Sequence, residues 1–255
     1  MKNLSEMRCS EFSELINEEL IGTAPVWNKL LVISFPFPWV ADINESDTFY
    51  KLFNKKLKVD HIKSKLQDYR IQFVSPDKDY ITEGLFRVLL FIRNIEDSKF
   101  SKFEKMEFDI PEEKLGEFLI GLTDSNESYL NDYMLKPHKT RDLFVCIHAS
   151  RDICCGVAGV PIYKSLKEKF NDYNISLTRV WRMSHLGGHK YAPNVLDMPS
   201  GRLWARFNSS NIDELFGSSV KPKQIFNYYR GSIGLNSPYE QVLESYILAD
   251  SQNLE

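Results

Sequence analysis

Long apolar runs are absent from this chain. Its two most apolar stretches are 26–40, broken by Lys29, Pro36 and Pro38, and 85–92, interrupted by Arg87. Neither approaches the roughly 20 apolar residues of a membrane span, so no membrane is expected among its partners. Charge of one sign is not in excess either: 32 Lys and Arg stand against 35 Asp and Glu, a net charge of −3. Such a balance gives no global attraction to nucleic acid, and the basic run Lys51 to Lys58 reads as a solvated helix face. Cysteine is scarce, with four in 255 residues, three of them crowded between positions 146 and 155. That is not the disulfide framework of a secreted protein; it points to a reduced compartment and to local sulfur chemistry. The opening MKNLSEMRCSEFSELINEEL is polar and acidic, without the basic region and apolar core of a secretory signal. The expected location is therefore the cytoplasm. A nucleotide-binding glycine motif is lacking, and no carboxylate pair stands out among 35 scattered acids to argue glycoside hydrolysis.

What is present suffices for a substantial core, since 43% of the residues are hydrophobic and 13% aromatic. Short windows rich in apolar and β-favouring residues predict strands over Lys29–Phe35, stopped by the PFPW of 36–39, and over 70–74 and 85–92. A helix is expected over 46–67, and Pro111 opens another whose apolar face is Leu115, Phe118, Leu119 and Leu122. The chain then starts again with a strand at 143–147, a glycine-containing loop and a helix at 160–170. A strand at 175–183 follows, then a long loop rich in glycine and proline and a strand at 202–207. Asn211 caps a short helix at 212–216, and an amphipathic segment at 239–248 ends the series.

Strand, helix, strand, strand, helix thus occurs twice. With a parallel first pair and an antiparallel second, this is the thioredoxin-like plan, and the class is α/β. Two arrangements accommodate it. One is a tandem: an N-terminal α/β domain over 1–130, read as a degenerate thioredoxin-like unit, and a second unit over 131–255, with the seam at 125–140. The other is one continuous α/β domain with a covering N-terminal subdomain. No residue-level repeat accompanies the duplicated order.

Chemistry concentrates in the second half. Cys146 ends the strand LFVCI, and Cys155 follows after eight intervening residues, directly before Gly156. Strand ends feeding loops are where α/β folds present reactive groups. Thirty residues on, SHLGGHK places His185 and His189 four apart. That spacing fits one helix face, but Gly187 and Gly188 between them oppose a helix and favour a tight turn with both imidazoles aimed at something bulky. An inorganic cluster suits such wrapping. Thiolates bind iron strongly, and imidazoles can replace thiolates on one iron of a [2Fe–2S] centre. Two neutral nitrogens in place of two anionic sulfurs ease reduction, and their second ring nitrogens couple the electron to pH.

CIHASRDICCG followed by RMSHLGGHKYAPNVLDMPSGRLWARF resembles the sucrase/ferredoxin-like family, whose thioredoxin-like ferredoxin domain includes fungal members with a bis-histidinyl, non-Rieske [2Fe–2S] cluster. Ala192, Asn194, Pro199 and Gly201 continue the pattern, and Gly22-Thr23-Ala24, Trp27 and LLVISFPFPW look like the family's opening. The resemblance implies a thioredoxin-like ferredoxin fold with Cys146, Cys155, His185 and His189 as cluster ligands. It implies a carrier of single electrons, or a small-molecule reductase component, served by a redox donor and acceptor that are proteins or small molecules. Cys154 competes with Cys155 for its place, and His148 lies within reach of the same loop.

Two other readings keep these residues but change the chemistry. Zn2+ in a Cys2His2 site is one, although eight intervening residues exceed the usual spacing of zinc cysteines. A metal-free thiol pair, Cys154 with Cys155, is the other. Arg179, Arg182, Arg202 and Arg206 either dock an acidic partner or are exposed charges. Trp181 and Trp204 pack the core or shield the site, and Cys9, alone near the N-terminus, reads as structural or incidental.

Overall fold

A computed structural model describes residues 6–43, 64, 66–93, 103–124, 130–171, 177–217 and 222–251. Its framework is a nine-stranded sheet in the order β4-β3-β1-β2-β6-β5-β7-β8-β9. The strands are β1 (Lys29–Ser34), β2 (Arg70–Val74), β3 (Leu85–Ile92), β4 (Glu104–Pro111), β5 (Arg141–Cys146), β6 (Thr178–Met183), β7 (Asn194–Met198), β8 (Arg202–Ala205) and β9 (Tyr229–Ser232). Around them lie α1 (Cys9–Leu15), α2 (Leu115–Thr123), α3 (Ile153–Lys169), α4 (Ile212–Phe216), α5 (Pro222–Tyr228) and α6 (Pro238–Ser251).

Eight of the nine strands form two sets of four with the same internal logic, and β9 pairs antiparallel with β8 at the edge. In the first, β1 pairs with β2 in parallel and with β3 antiparallel, and β4 pairs antiparallel with β3. In the second, β5 pairs with β6 in parallel and with β7 antiparallel, and β8 pairs antiparallel with β7. Central strands buried on both faces read as nearly continuous apolar runs, which is why KLLVIS and RDLFVC announce themselves as β1 and β5. The sets join edge to edge through β2 and β6, with Val74 opposite Met183.

Both faces of the sheet are covered. On one, Leu31, Ile33, Val88, Leu143, Val145 and Val195 meet the apolar side of the helices, including Phe118 and Leu166. On the other, the two sets curl toward each other, so Leu30, Val32, Leu89 and Phe91 share a cluster with Phe144, Trp181, Met183 and Leu196. Charges are buried along this contact. Arg87 binds Glu107 and Asp109, each at 2.6 Å, while Arg179 grips both Glu107 and Asp142, the latter at 2.7 Å. Lys105 reaches Asp142 at 2.6 Å, and Trp181 Nε1 donates to Asp142 Oδ1 at 2.8 Å.

Several expectations shift against this architecture. The helix expected over 46–67 falls almost wholly outside the described residues. Strands 70–74 and 85–92 form with the expected bounds, but α1, β4, β7, β9 and α5 answer to no expectation from the sequence. EKMEFDIP carries charges at Lys105, Glu107 and Asp109, one face of an alternating strand; only their partners across the fold make that face a buried one. Pro111 ends β4, and a 3-10 turn at Glu112–Lys114 precedes α2, which buries the expected Leu115, Phe118, Leu119 and Leu122. Asn211 precedes α4 but caps nothing there; its Oδ1 turns back to accept from Asn208 N–H at 3.1 Å. The helix expected to begin at Val160 begins at Ile153, within the supposed loop. Asp152 caps it, its Oδ1 accepting from Cys154 N–H at 2.8 Å. Arg179 is 3% exposed and fully engaged, so it does not dock a partner.

Candidate metal centre

The fold delivers the cysteines from two directions. Cys146 is the last residue of β5, and Cys154 and Cys155 occupy the first turn of α3. Consecutive residues on a helix point about 100° apart, so their sulfurs face different neighbours. Cys155 faces the sheet: its sulfur, that of Cys146 and a ring nitrogen of His185 all lie within 4.8 Å of one another. His185 Nδ1 is 3.4 Å from Cys155 Sγ. Gly159, one turn further along α3, permits this approach, since a Cβ there would lie 2.0 Å from the Cys146 carbonyl oxygen.

Both cysteines are 1% exposed. Cys146 is held well below the ordinary thiol range by the hydrogen bond from Cys155 and, against its burial, by His185 and the Leu186 N–H. The Cys155 thiol is pushed upward by the same hydrogen bond and by burial. The pair thus favours charge on Cys146 over Cys155, and thiolate is the form of cysteine that binds metals.

His185 is fixed by the joint between the two strand sets. Directly after β6, Ser184 N–H donates to Phe73 O on β2 at 2.8 Å, and Phe73 N–H donates to Ser184 Oγ at 2.9 Å. The His185 carbonyl accepts from Gln72 Nε2 at 3.1 Å and from Arg70 Nη2 at 3.3 Å. His148 takes no place among the ligating atoms. Its Nδ1 accepts from His185 N–H at 3.3 Å, which leaves Nε2 to carry the proton and donate to Val40 O at 3.0 Å. Burial lowers its basicity.

Gly187 and Gly188 both have positive φ, +86° and +69°, and form a turn rather than a helix. His189 opens the short 3-10 turn that follows, ending at Tyr191. Its ring lies 6.2 Å from that of His185, centroid to centroid, but its Nδ1 points elsewhere: 2.8 Å from Asp152 Oδ2 and 3.1 Å from Cys9 Sγ. Of the four expected ligands, three are assembled and the fourth stands on the adjoining turn, facing a second group formed by Cys9, Asp152 and Cys154. Cys9, expected to be structural or incidental, is 3.2 Å from Cys154, sulfur to sulfur.

Sequence reasoning also passed over Arg230. It is 2% exposed and lies beneath the glycine turn, where Nη1 donates to Gly187 O at 3.1 Å and to Asn194 Oδ1 at 2.7 Å. Asn194 Nδ2 completes the brace by donating to Gly188 O at 3.0 Å. Burial lowers the Arg230 guanidinium to about 10. No pattern in YYRGS signals this role; Asn194, already noted in the sequence, is the nearest clue.

An α/β sheet that gathers two cysteines and a histidine at the ends of β5 and β6, with a second histidine on the next turn, is a candidate metal-binding scaffold. The sucrase/ferredoxin-like family matches residues 20–231, and the chain belongs to that family. Among curated proteins, it is 33% identical over 104 residues to "Altered inheritance of mitochondria protein 32" of Candida glabrata, 36% of this chain and 33% of that protein. Proteins of the same name from Debaryomyces hansenii and Meyerozyma guilliermondii are 30% identical over 101 residues and 28% over 96. Each alignment again covers 36% of this chain, with 35% and 34% of the relative. The chain thus spans about a third of the length of the curated relatives it matches. No solved structure matches the chain at a significant level.

Proposed function

We propose that this protein passes single electrons through a [2Fe–2S] cluster, with Cys146 and Cys155 holding one iron and His185 and His189 the other. The observation that carries the reading is the convergence of Cys146, Cys155 and His185, from three separate elements, within 4.8 Å of one another and with no carboxylate among them. Two sulfurs and an imidazole are donors that iron–sulfur centres use. When bound, the cluster supplies a one-electron couple whose potential imidazole ligation raises.

The chain's own residues do the rest. Burial of Cys146, Cys155 and Leu186 excludes water from the sulfur side. Gln72 and Arg70 hold His185 by its carbonyl, so the strand joint sets the position of that imidazole. His189 engages Asp152 and Cys9 through Nδ1, which leaves Nε2 to serve as the ligand while the carboxylate orients the ring. Its side chain is 43% exposed, which makes it the natural exit for the electron and an associated proton.

The matching strand sets support a reading of the architecture as two thioredoxin-like units in tandem, 1–130 and 131–255, fused through β2 and β6. Electrons come from a separate reductase or small donor and go to a protein or small-molecule acceptor, with neither nucleic acid nor membrane as partner. A reducing compartment suits the free thiols; the cytoplasm is the proposed location. The relatives' name refers to mitochondria, and subcellular fractionation distinguishes the two sites.

Anaerobic purification followed by visible absorption and by iron and sulfide analysis tests the function. Two irons and two sulfides per chain are expected for this cluster type. A colourless protein holding one zinc overturns the proposal in favour of a structural zinc site. A colourless, metal-free protein with a disulfide between Cys154 and Cys155 favours the thiol reading.

A further inference from the structure

We propose that Cys9 and Cys154 form a second redox centre, a dithiol/disulfide couple that exchanges with small disulfides and bolts the N-terminal helix over the histidine turn. It does not depend on the cluster reading, because neither cysteine belongs to the group formed by Cys146, Cys155 and His185.

Geometry selects a disulfide over a shared ion. The two sulfurs are 3.2 Å apart. Two thiolates on one zinc, each at about 2.3 Å, stand roughly 3.8 Å apart at the tetrahedral angle, so these are already closer than a common metal holds them. A bond of about 2.05 Å requires only a small approach of Cys9, which sits on the first turn of a short surface helix. The vicinal alternative is disfavoured by the helix, since Cys154 and Cys155 point to opposite neighbours.

The segment that Cys9 belongs to is held like a strap. Arg206 Nη2 donates to Ser13 O at 3.1 Å, Arg206 Nη1 donates to Glu18 O at 2.5 Å, and Lys190 pairs with Glu18. These polar contacts are partly exposed, and Phe12, Leu15 and Ile16 face solvent, so none of these three apolar side chains locks the strap down. A covalent link at Cys9 would do so.

The exchange balances without a metal. Half-buried Cys9, as thiolate, attacks one sulfur of a low-molecular-weight disulfide such as oxidised glutathione and expels the first small thiol. Cys154 then attacks the Cys9 sulfur and expels the second. Two protein thiols are oxidised to one disulfide, one small disulfide is reduced to two thiols, and the two protein protons pass to them. Burial and the Cys154 neighbour raise the Cys9 thiol to about 11, which makes the first step slow and calls for long equilibration.

The test equilibrates the full chain overnight with defined ratios of reduced and oxidised glutathione, blocks free thiols and maps the unreduced tryptic peptides. The expected product joins the peptide starting at Cys9 to the one starting at Asp152, and it disappears in both Cys9→Ser and Cys154→Ser. In the oxidised native chain, proteolysis within residues 6–19 slows by about tenfold, an effect absent from Cys9→Ser. The proposal is overturned if Cys9 carries only glutathione, if the link survives Cys154→Ser, if both thiols stay fully alkylatable, or if zinc binds and is lost in Cys9→Ser. Iron and visible absorption measured on the same samples report separately on the cluster. Both serine variants keep the iron content of the native chain, whatever that content is.

Discussion

Arg230 lies directly beneath Gly188: a Cβ on that glycine would stand 2.6 Å from Arg230 Nη2. The guanidinium and the histidine turn are therefore one unit. Its donors satisfy Thr23 O at 2.6 Å and Thr23 Oγ1 at 3.0 Å as well as Asn194 and Gly187, so one side chain ties the N-terminal segment, β7 and the turn together. Arg230→Ala is expected to cost about 3 kcal/mol, because it strips buried carbonyls of their donor. Gly188→Ala should loosen the turn by collision and by its positive φ. Denaturant unfolding reads the stability in both, and the metal content of each variant reports on the turn.

The divergence of Cys154 and Cys155 predicts opposite outcomes for two neighbouring substitutions. Cys155→Ser should abolish the visible chromophore, whereas Cys154→Ser should retain it. Loss of colour in Cys154→Ser with retention in Cys155→Ser would reverse the assignment of the second thiolate.

For His189, the ligand assignment is tested by exchange. His189→Cys should keep a cluster but lower its reduction potential and flatten the pH dependence of that potential, since an anionic sulfur replaces a titratable imidazole. An unchanged potential refutes the assignment.

Close packing of α3 on β5 is tested at Gly159. Gly159→Ala should destabilise the fold by about 3 kcal/mol, at the upper end for overpacking, because the obstructing atom is a backbone oxygen. It should also lower metal occupancy, since the displaced carbonyl belongs to Cys146. Thermal unfolding and iron analysis measure the two effects.

Acid should loosen the contact between the two strand sets. Burial alone would raise the Glu107 carboxyl, but the hydrogen bond and charge of Arg179, with Lys105 and Arg87, hold it at about 2 against an ordinary 4.5. A depressed folded value stabilises fully above the unfolded one, so this contribution is intact above pH 4.5 and is lost as pH falls toward 2. At about 1.4 kcal/mol per pH unit, the loss approaches roughly 3 kcal/mol. Urea midpoints should fall across that window in the native chain, and Glu107→Gln should be less stable at neutral pH with a shallower slope.

Elements whose signal is local can be read from the chain before it folds. β2 and β3 have the bounds their apolar windows predict, and β1 differs only at its last residue. The glycine pair at 187–188 excluded a helix and produced a turn, as backbone freedom requires. Of the residues singled out by type and spacing, Cys146, Cys155 and His185 lie together in the fold, whereas His189 faces Asp152 and Cys9. Tertiary structure alone decided everything carried by distant partners. β4 is a strand because Arg87 of β3 and Arg179 of β6 neutralise its acids, and α3 begins early because Asp152 caps a turn that Gly156 disguises. The same cause placed Cys9, 145 residues from Cys154 in sequence, in contact with it. A lone cysteine near a terminus carries no local pattern; only the folding of α1 onto the histidine turn gives it a neighbour.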